Sequence, residues 1–118
     1  MNKLISQPTV IEAHGNIPKV INEFIGRVNT ASSDISIAKM ESPNGWTEPG
    51  QTPQFDEYTI VLKGEMHIKT KDGEYSVSQG QAFFAERNKW VQYSTPQAET
   101  EYIAVCTPAF SPDTVRRD

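Results

Sequence analysis

Residues 45–64 read GWTEPGQTPQFDEYTIVLKG, and this stretch decides the fold. Its first half holds two prolines and two glycines, which interrupt any helix. Its second half, residues 57–63, is rich in β-branched and apolar residues and is closed by Gly64, a pattern that predicts a strand. Glu57 therefore passes from a rigid loop directly into an apolar strand. Because a buried carboxylate is costly unless it is paired, Glu57 is the first candidate for chemistry.

Length and charge restrict the classes of protein to be considered. The 118 residues suffice for one domain, and the formal net charge of -4 argues against nucleic acid as a partner. The basic pair Arg116-Arg117 is expected to lie in a solvated tail. No apolar run approaches the roughly 18 residues of a membrane span, and the N-terminus is too polar for a secretion signal, so a cytoplasmic protein is predicted. The single cysteine, Cys106, excludes an intrachain disulfide and is expected to pack in the core.

One amphipathic helix is predicted near the N-terminus. From Ile17 to Val28 the apolar residues recur three and four positions apart, which is the period of one helix face. Asn16 suits an N-cap, Pro18 suits a first turn, and Asn29 can end the helix.

Outside the helix, the chain is predicted to form short strands joined by turns. Asp-Gly at 72–73 is a strong signal for a tight hairpin. Many short strands at regular spacing are typical of a β-sandwich or a small barrel, with the helix covering one sheet. The predicted strands lie at residues 8–13, 34–40, 57–63, 65–70, 74–78, 80–85, 90–95 and 101–107.

The middle of the chain resembles the cupins, small β-barrels marked by the motifs G-x5-H-x-H-x3-E-x6-G and G-x5-P-x-G-x2-H. The glycines of the first motif fall on Gly45 and Gly64, its glutamate falls on Glu57, and the leading glycine of the second motif falls on Gly80. The resemblance covers residues 35–110 without a gap in spacing. It implies an all-β cupin barrel, a jelly roll of two antiparallel sheets, to which the predicted helix is added at the N-terminus.

The resemblance also implies how the chain is organised. We expect one cupin domain over residues 1–118, with an N-terminal arm and helix at 1–34, a barrel core at 35–110 and a tail at 111–118. Small cupins commonly pair through edge strands or exposed sheet faces, so a homodimer is expected.

The metal-binding histidines of the cupins are missing from this chain. The two histidines of the first motif fall on Gln51 and Pro53, and the histidine of the second motif falls on Val91. Imidazole is the ligand with which such sites favour Fe, Mn, Ni or Zn. We therefore expect no cofactor, and the alternative is a divalent metal held weakly by Glu57. Among cupins, this chain is most similar to the histidine-poor ethanolamine-utilisation branch, through the Asp56-Glu57 pair and residues 58–64 and 93–96.

The candidate site follows from strand alternation and from the resemblance. Alternation places Glu57, Thr59 and Val61 on one face, and the resemblance implies that this face lines the barrel interior. A mostly apolar cavity with a few polar groups suits a small organic molecule. The predicted ligand-binding residues are Trp46, Glu48, Gln51, Glu57, Thr59, Phe83, Val91 and Tyr93.

Two functions stay open. The first is a small cupin barrel that binds a small polar metabolite, its usual metal ligands having been lost. The second is an enzyme of the isomerase, lyase or synthase type, in which Glu57 is the catalytic proton shuttle. Glu57 also has a structural interpretation, in which it simply hydrogen-bonds to the backbone or to Tyr93 across the barrel. His67 is expected on a solvated face, whereas His14 would reach the barrel only if the N-terminal segment folded over its mouth.

Overall fold

Ten strands in two antiparallel sheets make up the computed structural model, which describes residues 2–118. Sheet A has the order β1-β2-β3-β10-β5-β8, and sheet B has the order β4-β9-β6-β7. The jelly roll predicted from the sequence is consistent with this architecture. The strands are β1 (Thr9–Ile11), β2 (Val20–Ile25), β3 (Ser36–Ser42), β4 (Trp46–Thr47), β5 (Asp56–Lys63), β6 (Glu65–Thr70), β7 (Gly73–Ser78), β8 (Ala82–Ala85), β9 (Val91–Thr95) and β10 (Thr100–Thr107).

The predicted N-terminal helix is wrong, because residues 17–28 contain strand β2 and no helix occurs between residues 2 and 118. Strand β2 pairs with β1 on one side and with β3 on the other. Ile21 and Glu23 are buried, whereas Val20 is 43% exposed, which is the period of a strand. Most of the apolar residues that produce the helical spacing are β-branched. Their strand preference and two ladders of hydrogen bonds outweigh that spacing.

The hydrophobic core has two parts. The larger cluster is centred on Val61, Met66 and Ile68, none of which has any exposed surface. The smaller cluster joins Phe55, Cys106 and Val115, with Phe110 packed against it. Since the cavity described below is lined by members of both clusters, it lies where the two parts of the core meet.

A short segment before the second strand, residues 12–16, packs across β4, and we call it the mouth segment. The backbone N–H of Asn16 donates to the carbonyl oxygen of Thr47 at 3.0 Å, and the N–H of Thr47 donates to the side-chain oxygen of Asn16 at 2.8 Å. The indole N–H of Trp46 donates to the carbonyl oxygen of His14 at 3.2 Å. Asn16, predicted as a helix N-cap, instead attaches the mouth segment to β4.

The tail, residues 111–118, packs against the loop that precedes β5. The N–H of Gln54 donates to the carbonyl oxygen of Thr114 at 2.8 Å, and the N–H of Thr52 donates to that of Arg116 at 3.0 Å. Val115 is only 3% exposed. The expectation of a solvated tail therefore does not describe this segment, because backbone hydrogen bonds and a buried side chain hold it against the barrel.

The outer face of sheet A carries exposed apolar side chains, among them Tyr58, Ile60, Leu62 and Phe84, which are 42–51% exposed. A homodimer and a cytoplasmic location stay predictions. The single domain over residues 1–118 also stays a prediction, and its first residue, Met1, lies outside the described residues. No helix among residues 2–118 is long and apolar enough to cross a bilayer.

Gly64 and Gly45 provide a matched test of this backbone, because their φ angles are 86° and 89° but their surroundings differ. A Cβ atom on Gly64 would overlap the carbonyl oxygen of Glu99, whereas one on Gly45 would meet nothing within 4 Å. We expect Gly45→Ala to lower the free energy of unfolding by about 1–2 kcal/mol, from the positive φ alone. Gly64→Ala should cost about 3 kcal/mol or more, since backbone must also move. Urea unfolding measures both, and equal losses would contradict the close approach at Gly64.

Candidate functional site

A cavity of about 70 Å³ lies between the two sheets. Sheet A contributes Glu57 and Cys106 to its wall, and sheet B contributes Tyr93. His14 of the mouth segment and Arg117 of the tail complete the lining. At about 30 Å³ for each water molecule, the space admits a few waters or a molecule with only a few non-hydrogen atoms.

Glu57 is held at the start of β5. It is paired with Cys106 of β10 on one side and with Ala85 of β8 on the other. Alternation turns its side chain to the same face as Thr59 and Val61, which are 1% and 0% exposed. Glu57 keeps some accessible surface, and this surface faces the cavity. The carboxyl group is therefore removed from bulk water while it stays open to a small occupant.

Gln51, Val91 and Arg117 lie side by side, because Gln51 forms an antiparallel bridge to each of the other two. The N–H groups of Gln51 and Val91 donate to each other's carbonyl oxygens at 2.9 Å. This pairing lengthens sheet B beyond the bounds of its strands. It places Gln51 and Arg117 in the cavity wall beside Tyr93.

Three buried polar atoms in this wall have no hydrogen-bond partner among residues 2–118. They are Oε1 of Gln51, the hydroxyl of Tyr93 and Nε of Arg117. Nearly all buried polar atoms in folded proteins are paired, with protein or with ordered water. Three such atoms around one small cavity mark it as a place where a water molecule or a ligand completes the hydrogen bonding.

Glu48 is buried in the same wall, being only 8% exposed. Its backbone N–H donates to the carbonyl oxygen of Tyr93 at 3.3 Å, and its own carbonyl oxygen accepts from the Gln92 side chain at 2.9 Å. Burial raises the pKa of the Glu48 carboxyl, and the positive charges of Lys19 and Arg117 oppose part of that rise.

The pKa of Glu57 is raised to about 7, first by burial and then by the negative charge of Glu48. Lys19, the Tyr93 hydroxyl and Arg117 oppose this rise. Tyr93 lies close enough to Glu57 to act on it, but the two groups do not have the geometry of a hydrogen bond, which leaves the hydroxyl unpaired. Near neutral pH, Glu57 is therefore populated in both its protonated and its ionised forms.

Tyr93 and Cys106 are both protonated at neutral pH. Burial, followed by the charges of Glu57 and Glu48, raises the pKa of Tyr93 well above its usual value. Burial, followed by the charge of Glu57, likewise raises the pKa of the Cys106 thiol well above its usual value. Since a nucleophilic cysteine needs a lowered pKa, Cys106 is a packed thiol in the wall and does not supply a nucleophile.

Lys19 supplies a cation to the cavity lining, and it was missed in the sequence because it lies in the segment predicted as a surface helix. Its ammonium donates to the Tyr102 hydroxyl at 2.9 Å and lies 4.0 Å from the centre of the Trp46 ring. Arg117 was also missed, because nothing in the sequence near the chain end distinguishes it from its exposed neighbour Arg116. No ion pair within 4.0 Å joins either cation to Glu48 or Glu57 in the described chain.

The predicted ligand-binding residues fall into two groups. Glu48, Gln51, Glu57 and Tyr93 line the cavity. The other four are absent from its wall, and two of them, Phe83 and Val91, line a second pocket. Trp46, Thr59 and Val91 are 1%, 1% and 2% exposed, and Phe83 packs against the Tyr75 ring at 5.1 Å between centres.

The side chains at the cavity do not fit the histidine-held metal of the cupins. Residues 2–118 contain no group of three His, Cys, Asp or Glu side chains placed to hold a metal ion. The polar groups that face the cavity beside Glu57 are mainly oxygen donors, with His14 as the one imidazole among them. Fe, Ni and Zn sites in proteins draw on several imidazole or thiolate ligands, which this donor set does not provide.

Sequence comparison finds no family model that matches the chain. The chain is 41% identical over 96 residues to a protein named Endoribonuclease YbeY from Myxococcus xanthus strain DK1622. The match covers 80% of this chain but 33% of that protein, so the chain spans about a third of the length of the curated relative.

Comparison with solved structures gives likenesses in fold. The ethanolamine utilization protein Q (EutQ) of Salmonella typhimurium LT2 has a TM-score of 0.69 and 18% identity, over 88% of this chain and 98% of that one. The EutQ protein of Clostridium difficile has a TM-score of 0.65 and 22% identity, over 77% and 63%. The polyketide cyclase RemF of Streptomyces resistomycificus has a TM-score of 0.76 and 19% identity, over 99% and 84%. At these identities the likeness concerns the fold alone.

Stability as a function of pH tests the burial of Glu57. Because its pKa of about 7 in the folded state exceeds the usual 4.5, wild-type stability should fall as pH rises from about 4.5 to 7. Glu57→Gln removes this loss. On going from pH 4.5 to pH 8, the free energy of unfolding of the variant should therefore rise by about 2–3 kcal/mol relative to that of the wild type. Urea unfolding across this pH range measures the difference. The exposed Glu99→Gln is the control, and parallel profiles for Glu57→Gln and wild type would contradict the burial.

Proposed function

We propose that this chain, a small protein of the cupin fold, binds a small polar molecule in the cavity between its sheets. The observation that carries the proposal is the pair of unpaired polar groups of Gln51 and Tyr93, each on a side chain only 4% exposed. Leaving such a group without a partner costs about 1–3 kcal/mol. A ligand that hydrogen-bonds to both groups recovers this free energy on binding.

Glu57 determines which polar groups of a ligand the proposed site can bind. Its carboxyl faces the cavity opposite the wall that holds Gln51 and Tyr93. In its ionised form it accepts a hydrogen bond from a ligand hydroxyl or amine, and in its protonated form it donates one. The four polar side chains of Glu48, Gln51, Glu57 and Tyr93 can therefore orient a molecule that has more than one hydrogen-bonding group.

A second candidate function is catalysis of proton transfer, which the pKa of about 7 at Glu57 favours. General acid–base catalysis is most efficient when the pKa of the group lies near the working pH. Glu57 would remove a proton from one atom of the bound ligand and return it to another. The ligand would leave as an isomer and Glu57 would return to its starting state, so the reaction needs no co-reactant.

The ribonuclease name of the Myxococcus relative does not direct this proposal, since two thirds of that protein lie outside the match. A net charge of -4 does not favour a polyanion as the ligand.

Binding is tested with glycolate, acetamide and ethylene glycol, which match the cavity in size. The backbone and side-chain amide signals in ¹H–¹⁵N NMR spectra report whether each probe binds. We expect at least one probe to shift the side-chain amide signal of Gln51 in a saturable way. Glu57→Gln and Tyr93→Phe should each weaken that binding about tenfold, since either change removes a ligand contact. Glu99→Gln, at an exposed position, should leave it unchanged.

Two results would count against the proposal. One is that no probe shifts the signals of cavity residues in the folded wild-type protein. The other is that Glu57→Gln and Tyr93→Phe both bind as the wild type does. The catalytic candidate is tested separately by exchange of ligand C–H protons for deuterium in ²H₂O, which Glu57→Gln should abolish.

A further inference from the structure

We infer that the cavity selects a bifunctional small molecule, with an anionic group bound by Arg117 and a hydroxyl or ammonium donor bound by Glu57. The smallest hydroxy acids and amino acids form this class. The inference rests on the proposed function, because it names the class of ligand that the same cavity takes. It goes further in assigning opposite ends of the ligand to opposite walls.

Arg117 is the cation in the wall whose hydrogen bonding is incomplete. Its Nε is buried and unpaired, although the side chain contacts the face of Phe110 at 6.0 Å from the ring centre. The other cation of the lining, Lys19, already donates to Tyr102 and contacts the Trp46 ring. An arginine fork binds a carboxylate through two parallel N–H groups, and Nε is commonly one of them. Arg117 is therefore the cation available to an anionic ligand.

The arginine has no acidic partner within the described residues. Glu23, Glu48 and Glu57 are carboxyl groups of the cavity lining, and the charge of Arg117 acts on Glu48 and Glu57. Neither lies within the 4.0 Å of an ion pair with it. Burying charges of both signs without contact is unfavourable unless something between them completes the pairing. Glu48, Glu57 and Arg117 all line the same cavity.

The arrangement of the chain fixes the two ends of the ligand. Arg117 and Gln51 are bridged in the extension of sheet B, where an unpaired donor and an unpaired acceptor stand side by side. Glu57 lies in sheet A, across the cavity. A ligand carboxylate on Arg117 would place an attached hydroxyl or ammonium toward Glu57, and the Tyr93 hydroxyl would be left to donate to either end.

The volume limits the class further. The enclosed part of the cavity, about 70 Å³, corresponds to roughly two water molecules at about 30 Å³ each, so the smallest acids fill it. Glycolate carries the required carboxylate and hydroxyl on two carbons. Acetate lacks the donor and ethylene glycol lacks the anion, so this series separates the two contacts with molecules of nearly the same size.

The experiment measures the affinities of glycolate, acetate and ethylene glycol by NMR titration at pH 7. We expect glycolate to bind wild type at least tenfold more tightly than either of the other two. Arg117→Gln should reduce glycolate binding at least tenfold and leave ethylene glycol binding unchanged. Arg117→Lys keeps the charge but loses the two parallel N–H groups. Its affinity for glycolate should therefore lie between those of the wild type and Arg117→Gln.

Arg116→Gln is the charge-matched control, since it removes the same charge from the adjacent, exposed residue of the tail, together with the hydrogen bond that Nε of Arg116 donates to the carbonyl oxygen of Thr52. It should bind glycolate as the wild type does, and melting temperatures show whether each variant keeps the tail packed. If ethylene glycol binds as tightly as glycolate, or if Arg117→Gln retains full glycolate affinity, the assigned ligand class is overturned while the cavity stays a binding site. If none of the probes binds, both this inference and the proposed function fail.

Discussion

Buried charge that is not neutralised by direct contact is the constraint on which the site depends. Glu48 and Glu57 are withdrawn from water, and Lys19 and Arg117 reach the same cavity without forming ion pairs with them. Each carboxyl raises the cost of ionising the other, and the two cations offset part of that cost. This balance leaves Glu57 with a pKa of about 7, although its sequence neighbours give no hint of such a value.

Segments near both ends of the described chain contribute to the wall of the cavity. The mouth segment is attached to β4 by the backbone and side chain of Asn16, and it brings His14 to the lining. The tail pairs with the loop around Gln51 and brings Arg117. A barrel of residues 35–110 alone would lack five charged or titratable side chains of the lining, Glu12, His14, Lys19, Glu23 and Arg117. The binding chemistry therefore depends on segments outside the part of the chain that resembles the cupin motifs.

The substituted cupin positions show how one fold accommodates different chemistry. Where metal cupins carry imidazoles, this chain carries the Gln51 amide, Pro53 and Val91. Val91 packs into the core and Gln51 presents an unpaired oxygen to the cavity. The strand that carries Glu57 keeps its place between β10 and β8. Glu57 therefore faces a cavity whose wall supplies hydrogen-bonding groups from Gln51 and Tyr93.

The sequence by itself determined β1 and the strands from β3 onward, apart from the two-residue β4, and it placed Glu57, Thr59 and Val61 on one face, whose inward direction followed from the cupin resemblance. Period-two alternation, Asp-Gly and the glycines are local signals, and the pleat converts them directly into faces and turns. Only the tertiary structure decided that residues 20–25 form a strand, because hydrogen bonds to β1 and β3 outweigh a helical spacing. It alone brought Lys19 and Arg117 to the cavity that Glu57 lines, because that cavity joins residues far apart in the chain, and such proximity leaves no periodic trace in the sequence.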